Sequence, residues 1–213
     1  LDDQDLTTAY RLMAAQEGIA DTEAGLDLWR LAALAHEEAE TEAALGAEDA
    51  WEEIRPRLAG AAHGRRFLAS WDQFMAEHGH HCRGELEFAN PRWSETPDYV
   101  LNLIRGYLRS IDQVNPLEKQ AHLARQQAQL AEQCRRKLKN PIKRWLFDWS
   151  LRRTRKVARD RENWKNEMVR NITVHRRVLM ELGRRWRNER ILGQRDDVLF
   201  LTLPELSPVA QGK

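Results

Sequence analysis

The segment between Ile142 and Leu192 constrains the fold more than any other, because it runs for about 50 residues without a proline. Its larger apolar side chains recur mostly at the three- and four-residue spacing of one helix face. This pattern predicts one helix about 75 Å long, or two helices joined by a kink. The positions that carry the pattern, and that we expect to be buried, are Trp145, Trp149, Trp164, Met168, Ile172, His175, Leu179, Leu182 and Trp186.

A helix of this length needs a neighbour along which it can pack. Residues 116–139 are the expected partner, because the short turn Lys139-Asn140-Pro141 joins the two segments and favours an antiparallel arrangement. Asn140-Pro141, Asn115-Pro116 and Thr96-Pro97 each place a good capping residue before a proline at the first helical position. The sequence thus predicts a long antiparallel helical hairpin.

The rest of the chain also shows helix patterns. A first helix is expected to end near Glu17, before Gly18, and a second is expected from Asp21 to Gly46, with Leu28, Leu31 and Ala35 on its buried face. Further apolar stripes are formed by Phe67, Trp71, Phe74, Met75 and His78, and by Val100, Ile104 and Tyr107 or Leu108. Only Val198–Leu201 is strand-like.

Composition supports the same fold class, since only 11 glycines and 7 prolines occur in 213 residues. We predict an all-α, multi-helix domain over residues 1–206 with at most one very short strand near its C-terminus, followed by a disordered tail at 207–213. Most of the eight tryptophans occupy helix-stripe positions. Core packing is therefore the default interpretation, and an aromatic pocket for a flat ligand is the alternative.

Several classes of protein are disfavoured. No run of about 18 apolar residues exists, and the N-terminus has neither a basic start nor an apolar stretch, so no membrane association is expected. Cys82 and Cys134 are far apart and lack a CxxC partner, which fits a cytoplasmic protein. The chain starts without Met, so we expect a piece of a longer polypeptide.

The charges are segregated although the net charge is only +1. Acids dominate residues 1–54, and Lys and Arg dominate residues 135–190. Such opposed blocks are interpreted first as two helical faces that attract each other within one fold. The alternative is a basic arm that binds nucleic acid or an anionic substrate.

The loop at residues 77–93 is rich in His, Glu, Arg and Gly, and three interpretations compete. A zinc site could use His78, His80, His81 and Cys82 with Glu85 or Glu87, although the spacing matches no standard pattern. In a purely structural loop, Gly79 and Gly84 would adopt unusual backbone angles and Glu85 or Glu87 would pair with Arg92. In a substrate-binding loop, His80 and Glu85 would be polar contacts.

Three segments match, in order, motifs of one enzyme family. The loop matches at Gly79, His80, Gly84, Glu85, Glu87, Pro91, Arg92 and Trp93, and departs at His78, His81, Cys82 and Arg83, where the family pattern has an aromatic, Arg, Gly and Pro or similar. Arg161-Glu162-Asn163-Trp164-Lys165 fits R-E-N-x-K, followed by Arg170 and by residues 181–185, and residues 197–206 fit a closing D-V-[FL]-[FY]-L-T-x-x-E-[LI] motif.

Over about residues 67–109 and 157–206, and only weakly over the first 60, the chain thus resembles the central helical domain of rifampin phosphotransferases and related phosphoenolpyruvate-synthase-like enzymes. The resemblance implies an acceptor-binding domain of an ATP-dependent, phosphohistidine-mediated phosphotransferase. ATP and Mg²⁺ would act on an ATP-grasp-like domain and a swivelling phosphohistidine domain elsewhere in the parent protein. This chain has no Gly-rich phosphate loop followed by Lys and no T-x-G-G-x-x-x-H segment. We therefore expect no bound cofactor or metal and no activity from it alone.

The resemblance also implies roles for particular residues. Arg161 and Lys165 share one helix face and would hold a transferring phosphoryl group, while Glu162 would orient or deprotonate the acceptor hydroxyl. The alternative is that Glu162 and its basic neighbours form ordinary surface ion pairs on a charged helix. His80 and Glu85 would contact the small-molecule acceptor. Convergence on one site requires the long helix to cross the loop after Gly79. The opposing hypothesis is a non-catalytic helical interaction module whose basic arm binds nucleic acid or a protein partner.

Overall fold

The computed structural model describes residues 3–13, 18–113, 115–202 and 204–206. Within these residues the fold is all-α, and no β-strand occurs. No described helix is both long and apolar enough to cross a membrane. The α-helices are α1 (Asp3–Met13), α2 (Ala20–His36), α3 (Ala39–Gly46), α4 (Trp51–Ala59), α5 (Ala62–His78), α6 (Pro97–Leu108), α7 (Pro116–Lys137) and α8 (Pro141–Asn188), and two 3-10 helices span Trp93–Glu95 and Arg195–Phe200.

The main apolar core lies between α2, α3, α4, α5 and α6. Trp71 of α5 stacks on Trp51 of α4 with ring centroids 3.8 Å apart. The predicted stripes of α2, α5 and α6 face this core, which confirms their periodicity. Its members include Leu28, Leu31, Ala35, Leu45, Ile54, Phe67, Phe74, Val100 and Ile104.

The predicted second helix is in fact two helices. α2 starts at Ala20, after Ile19 at the cap position, and ends at His36, and α3 starts at Ala39. The turn at Glu37 and Glu38 lets both helices bury their apolar faces in one core, which a straight helix of 26 residues, about 39 Å long, would overshoot. The side chain of Asp21 and the predicted end of the first helix near Glu17 lie outside the described residues.

The predicted hairpin is present in α7 and α8. Asn115 and Asn140 cap the two helices, and each side-chain oxygen accepts hydrogen bonds from two backbone N–H groups of the first turn. Near the turn, Arg135 of α7 pairs with Asp148 of α8 at 2.8 Å. α8 is one continuous helix of 48 residues. Thr96 differs from the prediction, because its hydroxyl donates to the Arg92 carbonyl and makes no cap bond to α6.

The buried face of α8 differs from most of the predicted stripe, of which Trp186 is buried but Trp145, Trp149, Trp164, Met168 and His175 are exposed. Trp145, Trp149 and Trp164 have 61%, 49% and 72% of their surface exposed. The helix instead buries a mixed stripe because it packs against the polar loop before α6 and the C-terminal 3-10 helix, not against the apolar core. That stripe contains Asn166, Val169, Thr173, Arg176, Met180, Gly183 and Trp186.

The strand-like run Val198–Leu201 lies mostly in the 3-10 helix Arg195–Phe200. Val198 is buried against α8 at Gly183, where an added Cβ would lie 2.1 Å from the Arg195 carbonyl oxygen. This close approach explains both the glycine and the turn, since the chain must fold back sharply over α8 to bury Val198. The tail at 207–213 lies outside the described residues.

Candidate functional site

The loop between α5 and α6 is folded around its own polar groups. Gly84 has φ +69°, so the predicted unusual backbone angle is present there, whereas Gly79 has an ordinary helical φ of −62°. The amide of Asn90 closes the turn by donating to the carbonyls of Arg83 and Gly84, at 2.7 and 3.2 Å. A side chain at position 84 would collide with that amide. The loop is thus pinned across its base.

Arg92 is the internal support of this loop. Its side chain is fully buried, and it donates to Cys82 Sγ and to the backbone carbonyls of Glu85 and Glu87. The predicted carboxylate pairing with Arg92 is therefore wrong. Buried carbonyl groups need donors, and a guanidinium can serve several at once. The carboxylates bind other donors, Glu85 those of His81 and Lys165 and Glu87 the backbone N–H of Ala89.

Residues of α8 hold the loop from the other side. The guanidinium of Arg176 binds both carboxylate oxygens of Glu95, at 2.8 to 3.2 Å, and also the Phe88 carbonyl. The hydroxyl of Thr173 lies 2.9 Å from the Val169 carbonyl oxygen of its own helix and 3.4 Å from the His80 carbonyl oxygen of the loop. The long helix therefore does cross the loop after Gly79, as the sequence motifs required.

His80 lies on the buried side of the loop. Its Nε2 atom is 2.6 Å from Oδ1 of Asn166, and 8% of the residue is exposed. Burial, opposed by this hydrogen bond, lowers the pKa of His80 from 6.5 to about 4, so the imidazole is neutral at pH 7. Its observed contacts bind the loop to α8.

Glu85 and Lys165 meet at an open groove of about 690 Å³, which is lined by Cys82, Gly84, Glu85, Leu86, Glu87 and Lys165. Lys165 Nζ is 2.8 Å from Glu85 Oε2, and the other carboxylate oxygen is 2.6 Å from His81 Nδ1. The hydrogen bond from His81, then that from Lys165, lowers the pKa of Glu85 to about 2 against the cost of burial. The groove therefore presents an ionised carboxylate beside an ammonium group.

Arg161 and Glu162 lie one turn earlier on α8 and do not line this groove. The Arg161 guanidinium contacts Glu162 Oε1 at 2.7 Å, and its side chain is 81% exposed. Of the five residues proposed from the sequence, the structure thus brings Glu85 and Lys165 into direct contact. His80 is buried against Asn166, and Arg161 pairs with Glu162 one turn before Lys165.

The chain is similar to known proteins over most of its length. A family model described as the rifampicin phosphotransferase fourth domain matches residues 1–162. The chain belongs to this family. A rifampicin phosphotransferase from Streptomyces sviceus is 25% identical over 177 residues, which cover 78% of this chain and 19% of that protein. The chain thus spans about a fifth of the length of that relative.

The family match extends beyond the segments that carry the sequence motifs. It includes the first 60 residues, over which the motifs gave little resemblance, and it includes the whole loop with His80 and Glu85. The match ends at Glu162, so Lys165 joins the site through its observed contact with Glu85.

The hypothesised zinc cluster does not assemble in the loop of this fourth domain. His80 turns to Asn166 and His81 to Glu85, whereas His78 Nε2 is 2.9 Å from Asp27 Oδ2. Burial also raises the pKa of the Cys82 thiol, although Arg92 opposes the shift, and a thiol is a poorer metal ligand than a thiolate. These side chains therefore do not share one coordination point.

Sequence reasoning missed Asn166, Thr173 and Arg176, which anchor the loop to α8. The available signal was their seven- and three-residue spacing, which places all three on one helix face. That face was overlooked because tryptophans on another face are the stronger hydrophobic signal. The described ion pairs of residues 135–190 are made within α7 and α8 and to the loop acids Glu85 and Glu95. The attraction to acidic residues 1–54 stays a prediction, because several of their side chains lie outside the described residues.

Proposed function

We propose that this domain binds the small-molecule acceptor of an ATP-dependent phosphotransferase, and that the acceptor hydroxyl or enol lies in the groove at Glu85 and Lys165. The observation that supports this proposal is the contact between Lys165 Nζ and Glu85 Oε2 on the wall of an open groove. It joins the loop and the long helix, the two segments that resemble the family's site motifs.

The chemistry of the pair suits phosphoryl transfer. The ammonium of Lys165 is a compact cation that can hold the oxygens of a transferring phosphoryl group. A carboxylate with a pKa of about 2 is a weak base, so Glu85 would orient the acceptor by accepting its hydrogen bond. Glu162 is then the proposed base or orienting group, and Arg161 is the second cation. Both roles require the bound acceptor to break the ion pair between Arg161 and Glu162.

The remaining chemistry would come from other parts of the parent protein. ATP and Mg²⁺ would phosphorylate a histidine on a swivelling domain, and that domain would bring the phosphoryl group to the groove. On this proposal the isolated chain neither hydrolyses ATP nor becomes phosphorylated on His80 or His175 when it is given labelled ATP.

The direct test is turnover of the parent protein, with rifampicin as the first acceptor because the relative is named for it. Lys165→Met and Glu162→Gln should each lower turnover by about 10²-fold or more, the usual loss for a charge-stabilising or acid–base group. Lys143→Met is the control, since Lys143 is exposed in the first turn of α8, far along the helix from Lys165. Full turnover by the Lys165→Met protein would contradict the proposal.

A second candidate function is a basic interaction arm. The exposed rings of Trp145 and Trp149 stack with centroids 6.5 Å apart, and Lys143, Arg152 and Arg153 are exposed on the same part of α8. Aromatic rings among cations can bind single-stranded nucleic acid. Binding to a single-stranded oligonucleotide should be measured against salt. We expect it to vanish near physiological salt, and sub-micromolar affinity at about 150 mM salt would favour this second function.

A further inference from the structure

Asp27 of α2 and the neighbouring residues Glu77 and His78 of α5 converge on one point outside the groove. His78 Nε2 is 2.9 Å from Asp27 Oδ2 and 4.0 Å from Glu77 Oε2, and the three atoms all lie within 4.8 Å of one another. A modest movement of the Glu77 side chain would bring all three atoms onto one cation, whose ligands lie about 2.0–2.2 Å from it. We propose that Asp27, Glu77 and His78 bind a divalent transition-metal ion, with Zn²⁺ as the first candidate.

The outer oxygens of both carboxylates are already held by neighbouring donors. Arg30 donates to Asp27 Oδ1 at 2.5 Å, and Gln73 donates to Glu77 Oε1 at 3.1 Å. Each carboxylate therefore turns its second oxygen toward His78. Donors of this kind orient metal ligands. Arg30 is also the ion partner of Asp27, so a bound cation would share that carboxylate with it. The arrangement goes beyond a chance cluster of charges, because both carboxylates are oriented in the same way.

The site is rigid on one side and open on the other. The His78 ring packs against Phe74 with centroids 4.9 Å apart, and 9% of the residue is exposed. The Glu77 side chain is 53% exposed. Asp27 and Glu77 also line a cleft of about 480 Å³ between α2 and α5. The cleft gives a cation an entry path and leaves coordination positions for water or a small ligand.

The donor set favours a transition metal over Mg²⁺ or Ca²⁺. Those two cations prefer oxygen ligands alone, whereas one imidazole nitrogen with two carboxylates suits Zn²⁺, Mn²⁺ or Fe²⁺. The two carboxylates balance the charge of the ion. Binding requires the lone pair of His78 Nε2, so a proton on that atom must move to Nδ1 or leave.

The test is calorimetric titration of the whole chain with Zn²⁺, followed by Co²⁺ absorption. We expect one saturable site, no sulfur-to-cobalt charge-transfer band, and at least tenfold weaker binding for Asp27→Asn and Glu77→Gln. His78→Gln should abolish binding. Glu77→Gln is the decisive variant, because its side chain is half exposed and the His78–Asp27 contact remains, so the protein should stay folded.

Two control variants separate this site from other carboxylates and histidines. Glu37→Gln changes another acid that lines the same cleft, and His36→Gln removes an exposed imidazole that faces Glu42 and Asp112 through opposite nitrogens. Both should bind Zn²⁺ like the unmodified chain. Unchanged affinity of Glu77→Gln, no saturable binding, or a thiolate band that assigns the ion to Cys82 or Cys134 would each overturn the proposal.

Discussion

Lys165 Nζ lies 2.8 Å from Glu85 Oε2, so one ion pair joins the middle of the 48-residue helix to the loop that precedes α6. The Glu85 side chain is only 14% exposed, and its second oxygen faces His81. The carboxylate is thus held between two donors from different segments. Its ionisation therefore couples the loop, the helix and the proposed acceptor groove.

Replacement of Glu85 by Gln should lower stability at neutral pH but not in strong acid. The pKa of Glu85 is about 2 in the fold, below its ordinary 4.5, so the folded state favours the carboxylate. This stabilisation is present above about pH 4.5 and is lost as the pH falls toward 2. We expect a cost of about 1–3 kcal/mol at pH 7 that shrinks below pH 4.5. Urea unfolding from pH 7 to 3 measures it, and a constant difference across that range would contradict the prediction.

Protonation of His80 should destabilise the fold in mild acid. Its pKa of about 4 lies below the ordinary 6.5, so between these values the unfolded chain binds more protons than the folded one. The stabilisation is therefore complete above about pH 6.5 and is lost as the pH falls to 4, by up to about 3 kcal/mol. His80→Gln should flatten the pH dependence of unfolding over this window. The exposed His175 offers a matched control, and His175→Gln should leave the slope unchanged.

The sequence predicted some of the contacts around Glu85 and His80 but not all of them. Motif order predicted that the loop and α8 would meet, and Lys165 and Glu85 do so. Periodicity predicted the hairpin and its asparagine caps, because these depend on local spacing and capping chemistry. His80 was assigned to the acceptor contacts, but its position beneath the loop depends on Asn166, a long-range contact that local patterns do not encode.

Loss of the buried Arg176 guanidinium should be severe. Only 2% of this side chain is exposed, and it binds Glu95 and the Phe88 carbonyl. Arg176→Met leaves Glu95 without its partner and a buried carbonyl without a donor, so we expect a loss of about 3–5 kcal/mol in the free energy of unfolding. Arg184→Met is the control, since the Arg184–Glu181 pair is exposed on the same helix and should matter little. Equal effects of the two variants in urea unfolding would show that burial of Arg176 is not decisive.

Gly183 should tolerate no side chain, whereas Gly25, which lies in open space in α2, should. A Cβ at position 183 would lie 2.1 Å from the Arg195 carbonyl oxygen and 2.8 Å from Val198 Cγ1, and both neighbours would have to move. We expect Gly183→Ala to cost about 1–3 kcal/mol and to speed hydrogen exchange at residues 195–200. Gly25→Ala, in open space on α2, should instead stabilise the protein by about 0.5–1 kcal/mol. Unfolding curves of the two variants should thus shift in opposite directions.

The buried stripe of α8 marks the limit of sequence reasoning. Hydrophobic periodicity placed Trp145, Trp149 and Trp164 in a core, but the structure exposes all three. Besides α2 and α7, this helix packs against a polar loop and one 3-10 helix, and its buried face there carries Asn166, Thr173 and Arg176. A pattern identifies which side chains share a face, and only the neighbouring segments decide whether that face is covered.

Removal of the exposed tryptophans should therefore leave the fold intact. Trp145→Ala combined with Trp149→Ala removes two surface rings whose centroids are 6.5 Å apart. We expect the free energy of unfolding to change by no more than about 0.5 kcal/mol. Trp71 is 2% exposed and stacks on Trp51, and Trp71→Ala should cost about 3–5 kcal/mol because it opens a cavity in the core. Thermal and urea unfolding of both proteins distinguish the two cases. If the double variant lost as much stability as Trp71→Ala, these rings would have to pack in solution against a surface that the described residues do not provide. A second copy of the chain is one such surface, and stability would then depend on protein concentration.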